Sequence, residues 1–293
     1  MRFRHLLVVG VGLIGGSLAM AARRLGLADR ITGFDDHERL KEALSAGIID
    51  APEESLVRYG SGVACMADLV YLAAPVSSIL SFLHDQSGVL QAGTLVTDAG
   101  STKREICMAA DESLPAGVDF VGGHPMAGSH NSGTRFADPA IFSGAPYAVV
   151  PSGNSTDDTV TRVVDFVRVL GSRPEILTPA EHDHAVAIVS HVPQLLSTAL
   201  ASSTISSGDV DQLIRLAGRG FSDNIRLAAS DWSVWEDICR TNPDEIDLGL
   251  ANIVRELELI RLNIRTGDFR ALADSFTAAS EFARAFLKAK SQS

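Results

Sequence analysis

The chain has 293 residues, 46% of them hydrophobic, with a formal net charge of −11 and an isoelectric point near 5.1. That length and apolar content suffice for about two domains, and the acidic balance argues against a nucleic acid or an anionic membrane as main partner. An anionic substrate remains compatible, because one arginine inside a closed site outweighs a diffuse surface charge that salt screens within about 10 Å. The cysteines Cys65, Cys107 and Cys239 are odd in number, far apart and without metal-ligand spacing. They are expected as free thiols of a reducing cytoplasm, with no bound metal. Arg2 and Arg4 ahead of an apolar run imitate a secretory signal, but the dense glycines that follow, with Arg23 and Arg24, fit a nucleotide loop better. No later window holds eighteen uninterrupted apolar residues, so a soluble protein is expected.

The first element is an apolar run, Leu6-Leu7-Val8-Val9, that stops at Gly10-Val11-Gly12-Leu13-Ile14-Gly15-Gly16 and turns into a helical pattern from Ser17 to Leu25. Gly10, Gly12 and Gly15 stand at i, i+2 and i+5. That spacing suits a tight turn, a backbone that can touch a pyrophosphate, and a helix packed hard on its strand. The phosphates would sit on the helix N-terminus, against the backbone of Leu13 and Ile14. A second apolar segment, Ile31–Phe34, ends in Asp35, placed to receive a ribose 2′-hydroxyl. A carboxylate there, with Asp36 beside it, favours NAD over NADP, although Arg39 is within reach of a phosphate.

Helix and strand patterns then alternate: helix near Glu38–Ala46, strand Leu69–Ala73, helix Val76–Leu83, strand Thr94–Thr97, helix Lys103–Ala110 and strand Asp119–Gly122. Such alternation predicts an α/β fold, a parallel sheet with helices on both faces. Ligands of these sheets lie beyond the carboxyl ends of the strands. The stretches after them, Ala74-Pro75, Asp98 to Lys103 and Gly123 to Gly128, are therefore candidates to line the site. A polar, glycine-rich loop follows from Ser129 to Gly144. Strand Tyr147–Val150, helix Asp157–Leu170 and strand Pro174–Leu177 complete a Rossmann-type domain over residues 1–178. From Pro179 every segment reads as helix: Glu181–Ser203, Val210–Ala217, Asn224–Ala229, Trp232–Thr241, Asp244–Ile264 and Phe269–Ala289. This all-helical domain, 179–293, contains the continuous apolar run Ala185–Leu200, which predicts burial between subunits of a homodimer.

Several residues along this course can carry chemistry. His124 follows a predicted strand end in a glycine-bounded loop, where a neutral imidazole beside a nicotinamide can accept a hydroxyl proton as hydride leaves the same carbon; the alternative is a core histidine satisfied by backbone. Ser101 either caps the helix that begins near Lys103 or bonds the reacting hydroxyl, while Thr102 or Asp98 serves the turn. Glu181-His182-Asp183-His184 reads as a solvated helix start rather than a metal cluster, since adjacent positions face apart. His191, on the face of His184 two turns on, either faces the cleft or sits in the core. Ser222 or Asp223 would cap a helix, and Arg226 either pairs with Asp223 structurally or is held by it to bind a carboxylate through its planar fork. Trp232 and Trp235 are expected to pack on one face.

Taken together, Gly10-x-Gly12-x-x-Gly15-Gly16, Asp98-x-Gly100-Ser101, Gly122-Gly123-His124-Pro125-Met126-Ala127-Gly128, Ser190-His191-x-Pro193 and Gly220-Phe221-x-Asp223-x-x-Arg226 with Trp235 resemble the prephenate/arogenate dehydrogenase family over most of the chain. The resemblance implies NAD-dependent oxidative decarboxylation of a cyclohexadiene. In it His124 would be the base at the ring hydroxyl, Ser101 its hydrogen-bonding partner, Arg226 the carboxylate clamp, His191 a pocket wall, and Asp223 and Trp235 its support. Some members carry an acid in the loop where this chain has Ser129 and His130, and some a lysine where it has Ser222. Without an acid near the amino-acid arm of arogenate, the keto arm of prephenate fits better, and an amino-substituted relative remains as an alternative. The chain ends near Ser293, so no appended regulatory domain is expected. Two rivals remain. A β-hydroxyacid or imine dehydrogenase would want a lysine on Glu181–Ser203, which has none; a non-catalytic NAD-sensing module would want a partner surface such as a basic recognition helix, which the chain lacks.

Overall fold

The computed structural model describes residues 2–53, 56, 65–127 and 133–291. Strand β1 (Phe3–Val9) leads to helix α1 (Leu13–Arg24), then β2 (Ala28–Phe34), α2 (His37–Ser45), the short β3 (Ala51–Pro52), β4 (Leu69–Leu72) and α3 (Val76–Ser81). These are followed by β5 (Leu95–Asp98), α4 (Arg104–Ser113), β6 (Asp119–Pro125), β7 (Pro146–Pro151), α5 (Asp157–Val169) and β8 (Arg173–Ile176). The described strands form one sheet in the order β3-β2-β1-β4-β5-β6-β7-β8. It is parallel as expected, apart from β6 and β7, which run antiparallel with His124 opposite Ala148. The reason is the connection: between these strands the described chain holds 3₁₀ turns and no crossover helix, and without a crossover the chain can return only in reverse.

Successive side chains of a strand point to opposite faces, and β1 shows why its run is apolar throughout. Leu6 and Val8 join Leu18 of α1 and Phe166 of α5 in one core layer. Leu7 and Val9 join Ile79 of α3 and Ile106 of α4 in the other. A strand covered by helices on both faces must be apolar at every position. Its exit is set by glycine: Gly10 adopts φ +89°, and a Cβ on Gly15 would stand 1.9 Å from the carbonyl oxygen of Gly10 and 2.8 Å from Val8 Cγ1. Helix α1 can approach its strand this closely only without a side chain there.

The rest of the chain is helical: α6 (Pro179–Val186), α7 (Val192–Ile205), α8 (Val210–Leu216), α9 (Arg219–Ile225), α10 (Trp232–Thr241), α11 (Pro243–Thr266) and α12 (Phe269–Ser291). Thr178 and Glu181 make a reciprocal capping box at the start of α6. The single helix expected over Glu181–Ser203 widens into a π turn at Ala187–His191, just ahead of Pro193, which has no N–H to give to a carbonyl one turn back. Across this break Pro179–Ile205 is long and apolar enough, by length and composition, to cross a membrane. Its buried positions, however, include His182, Asp183, His191 and Gln194, an inward face that serves a polar site. Helix α9 begins five residues before the expected Asn224, capped at Gly218, so Ser222 and Asp223 lie inside it and cap nothing.

By compactness the chain divides into Met1–Pro243 and Asp244–Ser293, whereas the change from strands to helices falls at 178/179. The difference has a cause: helix α6 packs on α4 and β7, which keeps the helices up to α10 with the sheet. In the second unit Leu248, Val254 and Leu257 of α11 and Phe269, Phe276 and Phe282 of α12 are each more than half exposed.

Gly15→Ala should lower stability by about 1–3 kcal/mol, the cost of forcing atoms into a packed site, whereas Gly12→Ala, whose Cβ meets nothing within 4 Å, should leave it unchanged. Thermal unfolding of the two variants checks this; equal losses would contradict the packing account.

Candidate active site

A cleft of about 830 Å³ opens at the carboxyl ends of the central strands, where strand order reverses between β1 and β4. Gly10, Gly12, Leu13 and Ile14 form one wall, Ala74 and Pro75 the next, and Gly100 with Ser101 a third. Helix α1 starts at Gly12 with no side chain capping it, so its first N–H groups and the positive end of its dipole face the cleft. Asp35 closes the far side. Its Oδ2 accepts the Val11 N–H at 2.8 Å, and its Oδ1 accepts the N–H of Asp36 at 2.8 Å and a guanidinium N–H of Arg39 at 3.3 Å. Arg39 is also paired to Asp36 at 3.3 Å, so two carboxylates hold a cation that could otherwise favour a 2′-phosphate. An uncapped helix start, open space above Gly12 and an acid at the end of β2 fit a dinucleotide with a free 2′-hydroxyl. Among the described residues no group of three His, Cys, Asp or Glu side chains is arranged to hold a metal ion.

A second, polar arrangement joins β6 to α6. His124 is in β6 itself, not in a loop beyond it, because the strand continues to Pro125. Its Nδ1 is 2.9 Å from His182 Nε2, and His182 Nδ1 is 2.8 Å from Asp183 Oδ1. The solvated helix start expected at Glu181–His184 is thus corrected: His182 and Asp183 are buried at 1% and 0% exposure, and only Glu181 and His184 face outward. The capping box could have shown this, since it fixes where α6 begins and places His182 and Asp183 one turn before Val186 and Ala187, on the inward face. Asp183 also accepts the backbone N–H groups of Lys103 at 2.7 Å and Arg104 at 3.0 Å. It caps α4 from across the fold. Ser101 is therefore not the cap; it stays at the cleft, partly exposed, at the end of β5.

The hydrogen bonds assign the tautomers. A carboxylate can only accept, so His182 donates from Nδ1 and accepts at Nε2; His124 then donates from Nδ1, which leaves its Nε2 as the basic nitrogen. Burial, with His182, Lys103 and His191 nearby, pushes the His124 imidazole well below its ordinary value of 6.5. Burial likewise lowers His182 and brings His191 to about 4. Burial alone would raise the Asp183 carboxyl, but the bonds from His182, Arg104 and Lys103 outweigh it and hold the group below the usual carboxylate range. The result is a neutral imidazole chain ending on an ionised acid.

His191 is buried and meets Trp235 edge-on, ring centres 6.1 Å apart; Asn242 Nδ2 donates to the Asp183 carbonyl at 2.8 Å and lies 3.4 Å from His191 Nδ1. Trp232, by contrast, is 62% exposed, so the two tryptophans do not share a packed face. Arg226 is exposed and opens a 3₁₀ turn, Arg226–Ala229. That turn is tied to α7 by Gln194, which donates to the Leu227 carbonyl at 2.8 Å, and by Ser197, which accepts the Ala228 N–H at 3.0 Å. Asp223 is exposed on α9. Ser129 and His130 lie outside the described residues. Asp98 is corrected outright as a cofactor ligand: its side chain has no exposure and its oxygens are taken up by Gly100, Gly123 and Lys103. Asp237 was not anticipated; it lines the cleft and accepts both the N–H and the hydroxyl of Ser77, at 2.9 and 2.8 Å, fastening α10 to the start of α3.

Residues 18–176 match the family model of the prephenate dehydrogenase nucleotide-binding domain, and residues 178–278 that of the prephenate dehydrogenase dimerization domain. A prephenate dehydrogenase of Bacillus subtilis is 34% identical over 281 residues, which cover 94% of this chain and 74% of that protein. Among solved structures, prephenate dehydrogenase from A. aeolicus in complex with hydroxyphenyl propionate and NAD+ superposes with a TM-score of 0.88 at 27% identity, covering 96% of this chain and 97% of that one. The arogenate dehydrogenase of Synechocystis superposes with a TM-score of 0.79 at 26% identity, covering 95% and 99%.

The buried imidazoles make stability depend on acidity with a definite sign. Their folded-state values lie below the unfolded one, so the unfolded chain binds protons first and stability falls as pH drops from 6.5 toward 4. For His191, lowered to about 4, the loss across that window is on the order of 3 kcal/mol. Urea unfolding at pH 7 and pH 4 measures it, and His191→Gln should remove part of the difference.

Proposed function

The chain belongs to the prephenate dehydrogenase family, and on that premise we propose that it converts prephenate to 4-hydroxyphenylpyruvate by NAD-dependent oxidative decarboxylation. What supports this reading is the ordered chain Asp183–His182–His124, which leaves His124 Nε2 as a neutral basic nitrogen, on a strand whose Gly123 shares the Asp98 carboxylate with Gly100 of the cleft wall. Bound NAD+ supplies the hydride acceptor. His124 Nε2 takes the proton of the ring hydroxyl as hydride leaves the carbon that bears it; the ring carboxylate departs as CO2, its bonding electrons complete the aromatic ring, and His124 returns the proton to the phenolate oxygen. The positive charge that His124 carries meanwhile is drawn toward Asp183 through His182. Ser101, at the end of β5, bonds the reacting hydroxyl and orients it. Aromatisation supplies the driving force, so the protein's task is chiefly positioning.

Arg226 holds a carboxylate of the substrate, on a turn that Gln194, three residues past His191, fastens to α7, with His191 and Trp235 as pocket wall and Asp223 as support; where some family members carry an acid, this chain has Ser129 and His130. The keto arm of prephenate suits a site with no acid at those two positions. The exposed apolar faces of α11 and α12 and the dimerization-domain match support a homodimer, and the three widely spaced cysteines, none in a disulfide, support a cytoplasmic enzyme.

Purified protein with NAD+ should form NADH with prephenate and little with arogenate; the reverse would overturn the substrate assignment. His124→Asn should lower kcat by roughly 10²–10⁴ and leave NAD+ binding intact. Because the base is depressed, kcat/KM should hold steady through pH 6.5 and decline only at lower pH. Arg226→Ala should raise KM by the equivalent of about 1.5–3 kcal/mol, the range for a charged hydrogen bond; an unchanged KM would make it a structural residue.

A further inference from the structure

Asp98 and Lys103 form an ion pair in which both side chains have zero exposure, and neither has a part in the reaction described above. The carboxylate is the hub of a small network: Oδ1 accepts the Gly123 N–H at 2.9 Å, and Oδ2 accepts the Gly100 N–H at 2.8 Å and the Lys103 ammonium. Gly123 precedes His124 and Gly100 precedes Ser101. One carboxylate thus grips the backbone next to both residues that face the reacting hydroxyl.

The surrounding glycines show how tightly the two strands close on this pair. A Cβ on Gly123 would lie 2.5 Å from the Asp98 carbonyl oxygen, one on Gly122 3.1 Å from Lys103 Cδ, and one on Gly100 2.9 Å from Asp98 Oδ2. The backbone of Lys103 is meanwhile held by Asp183, the acid at the end of the imidazole chain. Replacing a buried ion pair by neutral groups of similar shape is often neutral or favourable to stability, so the pair is a poor stabiliser for its cost. What it supplies is geometry.

We propose that Asp98 and Lys103 are positioning residues of the dehydrogenase reaction, setting the Ser101 loop against His124, and that Asp98 is not a cofactor ligand. The inference rests on the function proposed above. Its test compares the whole protein with Asp98→Asn and with the double variant Asp98→Asn/Lys103→Met, which leaves no unpaired charge should the single variant fail to fold. With one oxygen in place of two, the folded variant should keep its affinity for NAD+ within about twofold and its KM for prephenate within a few-fold, while kcat falls by about 10²-fold, the effect of roughly 1 Å of misplacement.

A second readout does not need turnover. The groups that hold the His124 imidazole down are its burial, His182, Lys103 and His191, so loss of the Lys103 charge should move the His124 titration, followed by NMR, to higher pH in the double variant. The titration checks that the Lys103 charge reaches His124; a merely structural pair would leave the ratio of kcat to KM effects unmoved. Wild-type kcat and an unmoved titration in the folded double variant would overturn the proposal. So would a rise in the NAD+ dissociation constant that accounts for the lost activity. If the unaltered protein gives no NADH from prephenate, the functional reading on which the proposal rests fails instead, an outcome the variants cannot mimic.

Discussion

Burying a charge is tolerable only when its partners are supplied in place, and the ion pair between Asp98 and Lys103 makes the carboxyl end of this sheet meet that condition. Desolvating two ions costs several kcal/mol each in real proteins, repaid only by good geometry and further hydrogen bonds. Here the repayment comes from backbone N–H groups of two different segments, so the end of β5 and the middle of β6 cannot drift apart without orphaning a charge. The glycines at 100, 122 and 123 follow from this, since side chains there would collide with the pair or its backbone.

The same economy joins the helices to the sheet. Helix α4 begins without a capping side chain of its own, and the missing acceptor is Asp183 of α6, eighty residues further on. Asp183 thereby does two things: it satisfies the start of one helix and it fixes the tautomer of His182, which in turn directs the proton of His124. Asn242 at the end of α10 bonds the Asp183 carbonyl, and Thr241 meets Thr102 at 2.7 Å. Polar contacts join the apolar burial of Val186 and Ile238 in setting where α6 and α10 stand. That suits a site that must hold imidazoles neutral and an acid charged within a few ångströms.

Around this centre two kinds of construction meet. The cleft wall is mostly backbone, with a glycine turn and an uncapped helix start, closed by the Asp35 carboxylate. The polar arrangement on β6 is made instead of side chains contributed by a helix distant in sequence. Apolar area stays exposed on α11 and α12, where phenylalanines and leucines stand in solvent in the single chain.

Local pattern alone determined much of this. The glycine spacing, the acid after β2, the alternation of strand and helix and the helical second half are encoded in neighbouring residues, because a turn, a cap or a period depends on the next few positions only. Ser101 and His124 could be singled out for the same reason, since each stands at the carboxyl end of a strand that the local pattern defines, although β6 runs on through His124 to Pro125. Tertiary structure decided the rest. That β7 returns antiparallel, that His182 and Asp183 turn inward rather than to water, and that Asp98 faces Lys103 instead of a cofactor depend on which segments pack together. Residues about sixty or eighty positions apart meet only after the sheet has formed, and no periodicity within one segment records what another will bring to it.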